Sequence, residues 1–199
     1  MATQRIAVIV EGEGEVAAVP VLIRRIAGEG LGRWDVTVSS PHRRPRNSLT
    51  TTGGIERFVT LATVKDPDTS GLLVIIDADD DCPAELGPAL QARATAARPD
   101  LRVSVVLANR AFEAWFLAAA PSLRGQRGLA PDLVTPADPE RPRDCKGWLT
   151  THRIDGGVYK PTVDQAALAA ILDLHLARKH SRSFDKLWRD VARLLGEAA

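Results

Sequence analysis

The chain is poor in cysteine, lysine and aromatic residues, and it has no long apolar run. Its 199 residues include two cysteines, Cys82 and Cys145, far apart and outside any CxxC pair, which argues against a structural zinc site or a disulfide framework. No apolar stretch approaches the ~20 residues of a membrane-spanning helix. The run near the start, Ile6-Ala7-Val8-Ile9-Val10, goes straight into acid and is too short for the core of a secretory leader. The expectation is a cytoplasmic protein with no membrane partner. No GxxxxGK[ST] sequence occurs, so the phosphate-cradling loop of an ATPase is missing. Charge of one sign is missing as well. The 26 Lys+Arg and 25 Asp+Glu leave +1, which excludes a polycation built to coat nucleic acid and leaves such contacts to local basic stretches. Four histidines, His42, His152, His175 and His180, show no ligand spacing, and none is assigned to a metal.

What the chain does have is a pair of acidic clusters, each directly after an apolar run. Ile6 to Val10 leads into Glu11-Gly12-Glu13-Gly14-Glu15, and Leu72 to Ile76 leads into Asp77-Ala78-Asp79-Asp80-Asp81. Both runs are short, rich in β-branched residues and without alternation, as strands buried on both faces are. Further strands are expected over 34–39 and 101–107, and helices over 15–27, 55–64, 83–97 and 110–120. That alternation implies an α/β fold, a mostly parallel Rossmann-like sheet flanked by helices. Residues 1–120 are read as this core. Residues 121–199 are read as a Pro- and Gly-rich loop or lid up to Lys146, then a helical extension over 163–176 and 183–195 packed on the core.

In a parallel sheet the C-terminal strand ends line the ligand crevice, so neighbouring strands would bring these carboxylates together. Such a cluster repels itself unless a cation sits in it, and a hard divalent ion with oxygen ligands is the simplest candidate. Glu11, Asp77, Asp79 and Asp81 are the expected ligands. Three look-alikes fare worse. Gly12-x-Gly14-x-x-Ala17 has dinucleotide spacing, but Glu11, Glu13 and Glu15 would repel a pyrophosphate. Asp77-x-Asp79-x-Asp81 opens like a calcium loop, yet Cys82 and Pro88 stand where that loop needs glycine and glutamate. A phosphoaspartate at Asp77 is disfavoured by Asp80 and Asp81 beside it. The bland alternative is a solvated acidic turn at a helix start, which suits Glu15, Asp80 and Asp81 singly.

A glutamate and a glycine ending the first strand, with Asp-x-Asp ending a later one, resemble the Toprim domain of topoisomerases, primases and OLD-type nucleases. Val10-Glu11-Gly12, Asp77 to Pro83, Asn109 to Ala118 and Ser181-Arg182-Ser183-Phe184 resemble more narrowly a bacterial family with an OLD-like Toprim core. The resemblance implies Mg²⁺, with Mn²⁺ as a substitute, held by Glu11, Asp77 and Asp79. It also implies hydrolysis of phosphodiester bonds in nucleic acid, DNA ahead of RNA, in phage defence or DNA repair. Glu15 and Glu113 stand by position as further acidic groups, Lys146 or Lys160 as the basic one, and a separate ATPase as partner. A metal-dependent binding module and a nucleotide phosphohydrolase remain open beside the nuclease. Arg43, Arg44 and Arg46 form the densest basic patch and Arg182 belongs to a second; both are candidate nucleic-acid contacts, with a solvated loop or helix-end cations as the alternative. Glu113 is expected on the exposed side of its helix unless it turns toward the sheet edge, and Phe112, Trp115 and Phe116 are expected in the core.

Overall fold

In a computed structural model, which describes residues 3–197, five strands pair in parallel. They are β1 (Gln4–Val10), β2 (Val36–Val38), β3 (His42–Arg43), β4 (Gly71–Asp77) and β5 (Arg102–Ala108). The order is β2-β1-β4-β5, and β3 pairs with the end of β1 at Ile9 and Val10, beyond the three residues that pair with β2. Full burial of both faces explains the unbroken apolar runs. Ile6, Val8, Val10, Leu73, Ile75 and Val106 point to one layer, while Ala7, Ile9, Leu72, Val74, Ile76 and Val105 point to the other.

The second of these layers is covered by α3 (Gly54–Lys65) and α4 (Pro83–Ala97), through Ile55, Val59, Leu90 and Ala94. The short α2 (Arg46–Thr50) adds Leu49 to it. The first layer is covered by α1 (Glu13–Arg25) and α5 (Ala114–Ala118), together with the C-terminal helices. These are α6 (Cys145–Thr151), α7 (Ala166–Ala169), α8 (Leu174–His180) and α9 (Arg182–Leu194). Residues 121–199 therefore share the core of the sheet: Leu168, Phe184, Leu187 and Val191 lie in the same apolar layer as Val8 and Leu22. Phe112, Trp115 and Phe116 are fully buried there, as expected.

Several elements differ from expectation. The helix expected over 110–120 is reduced to α5, because Arg110 sits at φ 66° and the chain turns before it can coil. A 3-10 turn, Ala120–Leu123, follows with Pro121 inside it. The helix expected over 163–176 is broken into a π turn (Pro161–Gln165), α7 and α8, with Asp173 accepting from Leu176 N at 2.8 Å to start α8. The strand expected over 34–39 shrinks to β2, and Trp34, 77% exposed, lies across Gly28, where a Cβ would fall 2.5 Å from its ring.

If the C-terminal helices are integral, Phe184→Ala should cost about 3–5 kcal/mol. Its ring packs edge-on to Trp115 with centroids 5.5 Å apart. Trp34→Ala should stay within about 0.5 kcal/mol. Urea unfolding of both variants checks this, and a small loss at Phe184 would show the extension to be peripheral.

Candidate functional site

The chain leaves β1 toward β2 and β3 on one side, while β4 pairs on the other, so the sheet has its topological switch point between the C-terminal ends of β1 and β4. Glu11 and Asp77 stand at those two ends, and Glu11 Oε2 accepts the backbone N–H of Asp77 at 3.3 Å. Gly12 starts α1 without a side-chain cap. Glu15, at the third helical position, folds back so that its Oε2 accepts Glu11 N, one residue before the N-cap, at 3.1 Å. A Cβ on Gly12 would lie 2.8 Å from Glu15 Oε1, so glycine is what lets the glutamate close this turn.

From across the crevice comes Glu113. The left-handed turn at Arg110 swings it inward, to 1% exposure, instead of onto the solvent side of a helix. Its Oε1 accepts the Tyr159 hydroxyl at 3.1 Å and Gln165 Nε2 at 3.4 Å. The same turn presents Phe112 N to Asp77 Oδ1 at 2.8 Å. Burial, then the charges of Glu15, Glu113 and Glu11, hold Asp77 well above the usual carboxylate range. Burial also raises Glu113, against the pull of the Lys146 charge, and raises Glu11, against the Asp77 N–H. Glu15 is pushed up to about 7, by burial first and then by Glu11 and Glu113. These four carboxyls disfavour one another's charge.

The outer acidic residues are arranged differently. Asp79 takes the left-handed conformation at φ 52° and stands exposed over the crevice, 3.5 Å from Arg46 Nε. Asp80 pairs with Arg110 at 2.7 Å and Arg143 at 3.1 Å. Asp81, an expected metal ligand, is instead ion-paired to Arg46 on the outside of the turn and lines none of the crevice cavities described below. Arg46, expected to meet nucleic acid, is engaged by Asp81 and by the carbonyls of Asp77 and Ala78, so it braces the acidic turn. Arg44 lies over the Phe58 ring at 4.9 Å. Arg43 remains exposed beside the Glu11 carbonyl, while Arg182 lines a separate groove with Asn109, Glu140 and Lys186.

Two cavities meet at Asp77 and Lys146. One, of about 280 Å³, is lined by Glu11, Glu15, Glu113 and Gln165; the other, of about 210 Å³, by Asp79, Asp80, Arg110 and Arg143. Glu11, Arg43 and Asp79 also border a shallower space on the β3 side. Lys146 is placed by Asp144, which accepts Gly147 N at 2.7 Å and caps α6. Among the described residues no carboxylate comes within ion-pairing distance of Lys146. Lys160 lines neither cavity. Burial pushes the Cys145 thiol up to about 12, which removes it as a nucleophile. Arg110, Arg143, Tyr159 and Gln165 were not singled out in the sequence; the turn at Arg110, the segment just before α6 and the strap after it (residues 152–165) bring them here.

The residue types fit a hard divalent cation. All are oxygen donors, their mutual repulsion is relieved by positive charge, and Glu113 Oε2 is buried with no hydrogen-bond partner. Among the described residues no three Asp, Glu, His or Cys side chains are already drawn around one point, so a cation would have to gather its ligands.

Fold and crevice together define a parallel α/β protein with a carboxylate-lined switch point. The chain belongs to the family described as a domain of unknown function (DUF4276), whose model matches residues 10–192. No curated protein and no solved structure matches it. Among the described residues no helix is long and apolar enough to cross a membrane.

The position of Glu15 sets a pH dependence. An unfolded glutamate ionises near 4.5 and the folded one near 7, so stability falls as pH rises through that window, by about 3 kcal/mol in full. In chelator, Glu15→Gln should therefore melt several degrees above wild type at pH 8, with the gain vanishing by pH 4.5. An equal gain at both pH values would show that ionisation is not the cause.

Proposed function

We propose that this protein is a Mg²⁺-dependent phosphodiesterase of nucleic acid, acting on DNA ahead of RNA, with Mn²⁺ able to substitute. The observation that carries the reading is the convergence of Glu11, Glu15, Asp77 and Glu113 at the switch point beside a lysine that pairs with none of them. Glu11 and Asp77, with Asp79 above them, would hold the ion. Bound there, it would supply Lewis-acid polarisation of a phosphoryl oxygen and a more acidic water. Lys146 offers its ammonium to a phosphate oxygen at the mouth of both cavities. Glu15, behind Glu11, adds a further carboxyl that a bound cation would favour in its ionised form. Arg43 on one side and Arg110 with Arg143 on the other rim the acidic centre and offset its repulsion of a polyanion. The match of Glu11 and Asp77-x-Asp79 to the Toprim pattern supports the same chemistry, and it is the ground for a role in phage defence or DNA repair and for a separate ATPase as partner. A cytoplasmic setting rests instead on the short, acid-flanked apolar run of β1.

A second reading, a metal-dependent module that holds a nucleic-acid end or nucleotide without cleaving it, would use the same carboxylates, which among the described residues are not preassembled into a triad. Labelled DNA and RNA with Mg²⁺, Mn²⁺ or chelator separate the two. The enzyme should cut in metal, stop in chelator and lose more than about 100-fold in Asp77→Ala with folding retained. Binding without cutting would favour the module, and phosphate release from mononucleotides alone would point to a phosphohydrolase. In either nucleic-acid reading Arg43→Ala should lower the slope of log affinity against log salt by about one.

A further inference from the structure

Two buried oxygens in the crevice have nothing to accept from. Glu113 Oε2 and Gln165 Oε1 make no hydrogen bond, although their residues are only 1% and 2% exposed. Both residues line the 280 Å³ cavity with Glu15. A buried acceptor left unpaired is costly, and since both residues line the one cavity a donor or a cation there would relieve both.

The surroundings hold Gln165 in place. Asp164 accepts Lys160 N at 2.9 Å and pairs with Arg127 at 3.0 Å and Arg153 at 3.6 Å, which fastens the strap that carries Gln165. The strap presses on the first turn of α1: a Cβ at Gly14 would lie 2.2 Å from Gln165 Oε1 and 2.6 Å from the Pro161 carbonyl. Tyr159 and the Gln165 amide nitrogen both donate to Glu113 Oε1, so the available donors are spent on one oxygen and the other is left free. With its nitrogen on Glu113, the amide of Gln165 holds its carbonyl against the first turn of α1, the turn that carries Glu15.

We propose that Gln165 Oε1 is a neutral ligand to a divalent cation in this crevice, acting with Glu113 Oε2 and Glu15 on the inner wall. The inference rests on the metal-dependent reading above and adds a ligand from the C-terminal half of the chain. An amide oxygen among carboxylates suits Mg²⁺ or Mn²⁺, which take oxygen donors of either charge. Tyr159 and the Gln165 amide then act as positioning groups that aim Glu113.

The test is Mn²⁺ binding by the full chain, read from the electron paramagnetic resonance signal of the free ion. Gln165→Leu should weaken binding roughly ten- to a hundredfold. Gly14→Ala, which removes no carboxylate but presses on both the Gln165 amide and the Pro161 carbonyl, should weaken it too. Gln165→Asn, which keeps the polarity and shortens the reach, guards against misfolding and should also weaken binding, while Gln165→Glu should restore it. Wild-type affinity in folded Gln165→Leu and Gln165→Asn would overturn the ligand role and leave the metal-dependent reading standing. A wild-type protein that binds no Mn²⁺ would overturn both.

Discussion

The fold-back of Glu15 over the turn between β1 and α1 is the contact on which the crevice depends. It satisfies backbone donors that the helix start exposes, including Glu11 N at 3.1 Å, and it requires glycine at position 12. In doing so it places a third carboxyl behind Glu11 and Asp77 and raises the cost of ionising each of them. Structure and chemistry are therefore in tension at one residue. The hydrogen bonds favour a carboxylate oxygen at that spot, while burial beside Glu11 and Glu113 disfavours its charge. A cation would resolve the conflict, because it rewards the ionised form that the backbone also prefers.

The basic residues divide according to whether the fold has already used them. Arg46 lies under the acidic turn and braces it through two carbonyls and Asp81. Arg44 is spent on the Phe58 ring. Arg43 and Arg143 keep their guanidinium groups largely in solvent. The densest basic run in the sequence thus contributes mostly to holding the site together, and the positive rim is completed by residues far away in the chain.

What could be read from the sequence follows from the range of the physics involved. The apolar runs of β1 and β4 and the helices α3, α4 and α9 were legible because burial and periodicity are local. Glu11 and Asp77 were legible for a related reason, since a residue just past a buried parallel strand must stand at the crevice. Glu113 is expected on the exposed side of its helix unless it turns toward the sheet edge, and nothing local decides between the two, because nothing local announces that Arg110 adopts φ 66° and cancels the first turn of that helix. Asp81 carried the same local signature as Asp77, yet the loop turns it outward to Arg46. Tyr159 and Gln165 reach the site only through tertiary packing: their partner Glu113 is 46 and 52 residues away. No spacing rule covers such a distance.

Because α9 and the strap share an apolar layer with β1, the order of synthesis runs against the order of assembly. The glutamates of the first turn leave the ribosome before Gln165, which shares their cavity, and Glu113 before Tyr159 and Gln165, which aim it. Until then the acidic residues stay solvated and fully charged, with no inner wall to crowd them. The crevice thus acquires its low-dielectric interior only once the segment carrying Tyr159 and Gln165 packs on α1, and a nascent chain that lacks this segment does not carry an assembled site.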